Sequence, residues 1–178
     1  MAHANDYMVD VAGLRKQFQV RPERWGAKPR VVHAVSEISF KLRPGVTFHN
    51  GKTVTAEDVI ASLKRWGAKD GVGQRLMGFV VKMEPVDDKT FTMVLREPYG
   101  MVLESLGKSQ SSIAAIMREK DALTDPQQQV KEAVGSGPYM FAKDQWVPGS
   151  KAVYLKNKDY VPRSEAPSSF AGAKIPGV

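Results

Sequence analysis

The helix that begins near Thr55 is the feature that most constrains how this chain can fold. Residues 55–58 resemble a capping box, in which the threonine hydroxyl accepts from a free backbone N–H and acidic side chains favour the positive helix end. Apolar side chains then recur on one face at helical spacing, at Val59, Ile60, Leu63 and Trp66. Gly67 is predicted to end the helix. Because a one-sided apolar helix has to cover another apolar surface, the sequence predicts a packed core around it.

Short strands are predicted on both sides of this helix. Before it, Ile38, Phe40 and Leu42 alternate with polar residues, which is the period of a half-buried strand. After it, two hairpins are predicted from pairs of apolar runs around turn residues: 80–86 with 91–95, and 139–146 with 152–155. The pattern therefore predicts an α/β (α+β) domain with short mixed or antiparallel strands.

Further helices bring the predicted number to about four. The additional helical stretches are the residues after Pro98 up to Leu106, Ile113 to Lys120, and Gln127 to Val134 after the N-cap Asp125. The predicted core combines the apolar positions that keep the right period within each element: Phe40, Leu42, Val59, Ile60, Leu63, Phe91, Leu95, Leu103, Leu106, Tyr139 and Phe141.

Three segments are predicted along the chain. Residues 1–35 hold two apolar runs around a basic, proline-containing loop and predict a separate hairpin. Residues 36–161 form the main body. Residues 162–178 are rich in Pro, Ser, Ala and Gly and predict a flexible tail.

Composition argues against several classes of protein. The net charge is +7, but Lys and Arg are spread along the chain between Asp and Glu, so a nucleic-acid surface is not predicted. The absence of cysteine excludes disulfides and thiolate metal sites. No apolar run approaches the ~20 residues that cross a bilayer, so membrane insertion is not predicted. The first eight residues lack the basic start and apolar core of a secretory signal.

One loop resembles a phosphate-binding motif and departs from it in spacing. Gly45 and Gly51-Lys52-Thr53 are similar to the pattern G-x-x-x-x-G-K-[ST], but residues 46–50 place five residues between the glycines instead of four. The extra residue disturbs the convergence of backbone N–H groups on a phosphate. Nucleotide binding is therefore not predicted here.

No other motif predicts catalysis, a cofactor or a metal. The three histidines, His3, His33 and His49, are scattered, and His49 is predicted to be a turn residue. The adjacent acids Asp87 and Asp88 are predicted to form a solvated hairpin tip. Ser136 lies between glycines, but proline follows where a nucleophile elbow needs a helix. The residues alone predict a domain without a visible active site.

Several ordered motifs resemble the family 5 extracellular solute-binding proteins of peptide and nickel ABC importers. The longest is residues 40–66, FKLRPGVTFHNGKTVTAEDVIASLKRW. The others follow in family order: residues 86–91 VDDKTF, 95–98 LREP, 135–139 GSGPY, 146–150 WVPGS and 156–160 KNKDY. The likeness covers about residues 37–163, and complete members of the family are several times longer.

The resemblance implies part of the first lobe of a two-lobed receptor that captures a solute, such as a peptide, for transmembrane transport. It implies ABC permease subunits as partners and a periplasmic location, although without a signal the chain as it stands would stay in the cytoplasm. It also places the loop after residue 106 and the glycine-rich turn beside the ligand cleft. The candidate ligand-binding residues are therefore Lys108, Ser109, Gln110, Ser136 and Gly137.

The first part of the chain resembles a different protein of the same importers. Residues 11–20, VAGLRKQFQV, and 32–40, VHAVSEISF, are similar to the first strand pair of the ATPase subunit, in which Phe18 would lie near the adenine-stacking position. The alternative function is accordingly a truncated ATP-binding protein without a working phosphate loop. No later ATPase motif follows, so this likeness carries no catalytic residue with it.

Overall fold

The computed structural model describes residues 17–20, 30–33, 37–108 and 112–162. Its strands are β1 (Gln17–Val20), β2 (Arg30–His33), β3 (Glu37–Lys41), β4 (Val80–Asp87), β5 (Thr90–Leu95), β6 (Tyr139–Phe141) and β7 (Tyr154–Lys156). Its α-helices are α1 (Ala56–Lys69), α2 (Gly71–Phe79), α3 (Val102–Leu106) and α4 (Glu119–Ala122). Every strand pair is antiparallel, so the predicted class, short strands with about four helices, is confirmed for the described residues.

Helix α1 begins as the sequence predicts. Thr55 is its N-cap, and Thr55 and Asp58 form both bonds of the capping box. The predicted end at Gly67 is wrong, because the helix continues to Lys69. Gly67 is buried, and a Cβ atom there would lie 2.3 Å from the Met77 side chain. The glycine thus allows α2 to approach closely and does not stop α1.

Helix α2 follows α1 after a single residue, and the sequence pattern did not reveal it. Asp70 ends α1 and also caps α2, since its carboxylate accepts from the backbone N–H groups of Val72 and Gly73. Leu76 in α2 is fully buried in the core. Glycine at three of nine positions hides this helix from propensity arguments, because glycine is a poor helix former.

The three-stranded sheet has the order β3-β5-β4 and carries the core. Phe40 of β3 pairs with Phe91 of β5, and their rings stack with centroids 4.9 Å apart. Helix α1 packs against this sheet, and the side chains of Ile60, Leu63 and Trp66 join the same buried cluster. The capped helix and the hairpin that the sequence predicts are therefore the two halves of one core.

Most of the predicted core positions lie in or against this cluster, but three do not. Phe141 is half-buried and contacts the rings of Trp146 and Tyr154 instead, and the other two are exposed. Leu103 is 52% exposed and Tyr139 is 39% exposed. Leu103 lies on the outer side of the short helix α3, where Val102 occupies the buried position instead. Tyr139 begins β6, which pairs with β7 outside the main sheet. Both assignments were wrong because a five-residue helix and a three-residue strand give too little periodicity to fix a face.

Two predicted helices are largely absent. In the stretch Ile113 to Lys120 only the end is helical, where α4 begins, and residues 113–118 run without regular structure along α1. Ser62 of α1 accepts from the backbone N–H of Met117, and Asp58 accepts from that of Glu119. These side chains replace the backbone bonds that a helix would make. Residues 127–134 also form turns and irregular structure and not a helix.

Strands β1 and β2 form the hairpin that the first apolar runs predict, with Gln17 opposite His33. The assignment of residues 1–35 to a separate segment similar to an ATPase stays a prediction. The predicted flexible tail, residues 162–178, lies outside the described residues apart from its first position.

Candidate functional site: an apolar groove with a glycine turn at its rim

A groove of about 600 Å³ opens beside the core between β3, α1 and α3. Its walls are mainly apolar and include Leu42 after β3, Val59 of α1 and Leu106 of α3. Polar groups come from the rim, where Ser136, Gly137 and Gly107 lie. A concave apolar surface of this size with a few polar groups is typical of sites for small ligands.

The glycine turn, residues Gly135, Ser136 and Gly137, is held from two sides. The His49 backbone N–H donates to the Gly135 carbonyl at 2.8 Å, and the His49 ring contacts both Gly135 N and Gly137 O. On the other side, buried Asn157 donates from Nδ2 to the Gly137 carbonyl at 3.1 Å. Three segments distant in sequence therefore meet at this turn, and this is the contact that sequence reasoning missed.

The structure brings together some of the predicted site residues and separates others. Ser136 and Gly137 both line the groove, next to Gly107. Lys108 follows Gly107, but its ammonium group is 2.5 Å from the carboxylate of buried Asp70, at the junction of α1 and α2. Ser109 and Gln110 lie outside the described residues. The groove thus retains Ser136 and Gly137 as described candidates, whereas Lys108 has an intramolecular partner.

The Lys108–Asp70 pair makes stability depend on pH. The hydrogen bond from Lys108 lowers the pKa of the Asp70 carboxyl, burial opposes this effect, and the N–H groups of Gly73 and Val72 add to it. A carboxyl with a lowered folded-state pKa stabilises the fold fully above its unfolded pKa of about 3.9, and this contribution is lost as the pH falls through the folded value.

We expect Asp70→Asn to weaken the fold at neutral pH and to reduce the further loss of stability on acidification below about pH 4. Urea unfolding at a series of pH values measures both effects. The matched control is Asp144→Asn, which changes an exposed aspartate outside the described ion pairs. If the free energy of unfolding falls as steeply below about pH 4 in Asp70→Asn as in the unchanged chain, the Lys108–Asp70 pair is not the cause of the pH dependence.

The lining of the groove includes two cationic residues. Lys41 and Arg43, from β3 and the residues after it, contribute to its lining. The Nε atom of Arg43 is buried, and among the described residues it has no hydrogen-bond partner. Because a buried donor without a partner is costly, this N–H is suited to an acceptor that enters the groove. Arg43 is evident in the sequence as a basic residue. The direction in which its side chain points depends on the fold of the loop that follows β3, which the sequence alone does not give.

The loop that resembles a phosphate-binding motif has a different structure. Thr47 and Thr53 form a β-bridge, and the Phe48 N–H donates to the Lys52 carbonyl at 2.8 Å. Gly45 and Gly51 adopt positive φ angles of 75° and 80°. Helix α1 begins at Ala56, so its free N–H groups do not follow directly on Lys52. The backbone groups of this loop bond to one another and do not form a phosphate cradle.

Neither a group of three metal-binding side chains nor a helix able to cross a membrane is present in the part of the chain that the structure describes. Within residues 37–108 and 112–162, no three His, Cys, Asp or Glu side chains are grouped so that they could hold a metal ion. Over the same ranges, none of the helices has both the length and the apolar character needed to cross a membrane.

Comparison with known proteins identifies the family. The model of the bacterial extracellular solute-binding proteins, family 5, matches residues 30–174. A probable peptide ABC transporter periplasmic-binding protein of Sinorhizobium fredii is 42% identical over 136 residues, which are 76% of this chain and 25% of that protein. The glutathione-binding protein of Pectobacterium atrosepticum is 35% identical over 104 residues, 57% of this chain and 20% of that protein.

Solved structures agree with this match. The periplasmic binding protein AgaA of A. tumefaciens R10, in complex with agropinic acid, superposes with a TM-score of 0.56 at 29% identity, over 72% of this chain and 25% of that protein. The chain spans a quarter or less of the length of these curated relatives. Since the family model matches most of its residues, the chain belongs to the family 5 bacterial extracellular solute-binding proteins.

Proposed function

We propose that this chain is part of the substrate-binding component of a peptide-type ABC importer and contributes to capturing a solute for transport. The observation that carries this proposal is the family match over residues 30–174, supported by the 42% identity to a probable peptide-binding relative. The same match supports ABC permease subunits as partners and a periplasmic place of action. Binding and release, without chemical change of the solute, is the proposed role, so the protein is not an enzyme.

The groove supports a ligand that combines an apolar body with a carboxylate. Its apolar walls suit an aliphatic or aromatic side chain, and the Ser136 hydroxyl at the rim can bond to a peptide group. Arg43 offers a buried N–H that has no partner among the described residues, and Lys41 adds a second positive charge nearby. A guanidinium group is well matched to a carboxylate, since both are planar and charge assists the hydrogen bonds. A short peptide with a free C-terminus meets these requirements.

The alternative, an ATP-binding remnant, has no support of this kind. The loop around Lys52 bonds to itself, and α1 starts four residues later at Ala56. The family match includes this loop and continues far beyond it.

We expect the chain by itself to bind short peptides only in the millimolar range. Receptors of this type enclose their ligand between two lobes, and this chain spans 25% of its relative, so a groove open to water retains only part of the contacts. Calorimetry with a pool of di- to pentapeptides measures the affinity, and amide spectra of the ¹⁵N-labelled chain locate the site. Saturable micromolar binding would contradict the expectation of a half-site.

Two comparisons make the test specific for the groove. A peptide with an amidated C-terminus should shift the Ser136 and Gly137 resonances less than the free acid does, and Arg43→Gln should remove that difference. The matched control is Arg96→Gln, which changes an exposed arginine outside the groove lining. If the peptide shifts neither residue of the rim at any concentration, the groove is not the binding site.

A further inference from the structure

We propose that His49 is the positioning residue of the glycine turn, and that its ring makes both of its contacts with the turn only as a neutral imidazole protonated on Nε2. The inference rests on the proposed function in one respect, because the turn matters for binding only if the groove is the ligand site. The geometry of this clasp, the two contacts between the His49 ring and the turn, is independent of any ligand.

The two ring contacts fix the tautomer. Nδ1 lies 3.3 Å from the backbone nitrogen of Gly135, and this N–H can only donate, so Nδ1 has to accept with its lone pair. Nε2 lies 3.1 Å from the Gly137 carbonyl, which can only accept, so Nε2 has to carry the proton. Only the neutral ring with its proton on Nε2 makes both bonds.

A second proton breaks one half of the clasp. It would occupy Nδ1 and place an N–H donor against the N–H of Gly135. The ring lies directly on this residue, since a Cβ atom on Gly135 would be 3.5 Å from His49 Cε1. The contact at Gly137 survives protonation, as do the bond from Asn157 and the backbone bond from the His49 N–H to the Gly135 carbonyl. Acidification should therefore release the Gly135 N–H from the ring and leave the other bonds of the turn in place.

The ionisable side chains near the His49 ring belong to the segments around the glycine turn and not to the turn itself. The glycine turn carries no ionisable side chain. The segments packed around it carry Lys52 in the loop of His49, Glu132 before the turn, and Lys156, Lys158 and Asp159 around Asn157. Within the described residues, the two hydrogen bonds of the imidazole both go to the turn. Histidine is also the side chain whose charge ordinarily changes between pH 5 and 8.

The consequence concerns the groove, because Ser136 and Gly137 form part of its rim. With His49 neutral, both ends of the turn are fixed and the rim is preorganised, which reduces the entropy that a ligand has to overcome. With His49 charged, Ser136 follows a residue whose N–H has lost its acceptor, so this part of the rim is held by one bond fewer. The solute site would thus be better formed at neutral than at acidic pH.

Magnetic resonance on the unchanged chain tests the tautomer directly. Long-range ¹H–¹⁵N spectra at neutral pH should show Nε2 protonated and Nδ1 unprotonated in His49. When the ring signals of His49 move on acidification, the amide resonance of Gly135 should move with them. Its hydrogen exchange should also accelerate more than that of Gly137. A ring protonated on Nδ1 at neutral pH, or a Gly135 amide that ignores the titration, would overturn the proposal.

Two variants divide the clasp. The side-chain oxygen of His49→Asn can take the place of Nδ1, whereas the side-chain nitrogen of His49→Gln can take the place of Nε2. His49→Asn should preserve slow hydrogen exchange of the Gly135 amide, whereas His49→Gln should not. In neither variant should the Gly135 amide respond to pH. The control His33→Gln, which changes another histidine, should retain it in full. These measurements need no peptide, so they can support the clasp even if the groove binds none. Peptide binding at the groove together with a Gly135 amide that does not respond to pH would refute the clasp and leave the proposed function intact.

Discussion

Phe91→Ala is expected to destabilise the domain by about 3–5 kcal/mol, the usual cost of truncating a buried aromatic residue. Phe91 is 2% exposed in the central strand β5 and stacks on Phe40, which is 5% exposed. The substitution removes the ring contact and leaves a cavity between the sheet and α1. Since small domains have only about 5–15 kcal/mol of stability, the change removes a large part of the total. Urea unfolding would show a lower midpoint with an unchanged slope.

The matched control lies on the neighbouring strand of the same hairpin. Val86 in β4 is 62% exposed, so Val86→Ala should change stability by no more than about 0.5 kcal/mol. A loss below about 1 kcal/mol for Phe91→Ala, or equal losses for both variants, would mean that the stacked pair does not form the centre of the core.

Gly73→Ala is expected to destabilise by about 1–3 kcal/mol, because it forces apart two helices that touch at this point. A Cβ atom at residue 73 would lie 3.0 Å from the Gly67 Cα atom and 3.0 Å from the Trp66 ring. The Gly67 backbone and the buried Trp66 indole cannot move away from the added methyl group as the end of a flexible side chain could. The indole is also fixed by a bond from its Nε1 to the Ser112 carbonyl at 2.9 Å.

The same helix provides a control with the opposite sign. Gly78 in α2 is exposed, and a Cβ atom there would meet nothing within 4 Å. Gly78→Ala should therefore stabilise by about 0.4–1 kcal/mol, since alanine restricts the unfolded chain and favours helix. Thermal unfolding of both variants gives the comparison. Two changes of the same sign would show that helix propensity, and not the contact between α1 and α2, decides the effect.

The parts of the fold that could be predicted from sequence are those with local causes. The capping box at Thr55 and the hairpin around Asp88 depend on residues close in sequence, and both are present. Helix α2 escaped prediction because its signal is a contact: Gly67 and Gly73 are glycines so that two helices can meet. The prediction for residues 113–118 failed for a related reason, since Ser62 holds their backbone from another element.

The candidate site divides in the same way. Ser136 and Gly137 were predicted from family resemblance and line the groove, and their part in ligand binding stays a prediction. Lys108 was indistinguishable in sequence from a solvent-facing lysine, because its partner Asp70 is 38 residues away. His49 was correctly predicted to lie in a turn, but its contact with Gly135 spans 86 residues, and no local pattern contains it.

The strand order β3-β5-β4 determines when the groove can exist during folding. Strand β5 joins β4 through Asp88 and Lys89 alone, so their pairing closes a very short loop and can form within microseconds. Strand β3 reaches β5 only after both α1 and α2 have been brought back, since Glu37 pairs with Val94. The larger entropic cost of that closure makes β3 the last strand of this sheet to dock. Because Phe40 and Leu42 belong to the groove wall, we expect the candidate groove to be completed only at the final step of sheet assembly.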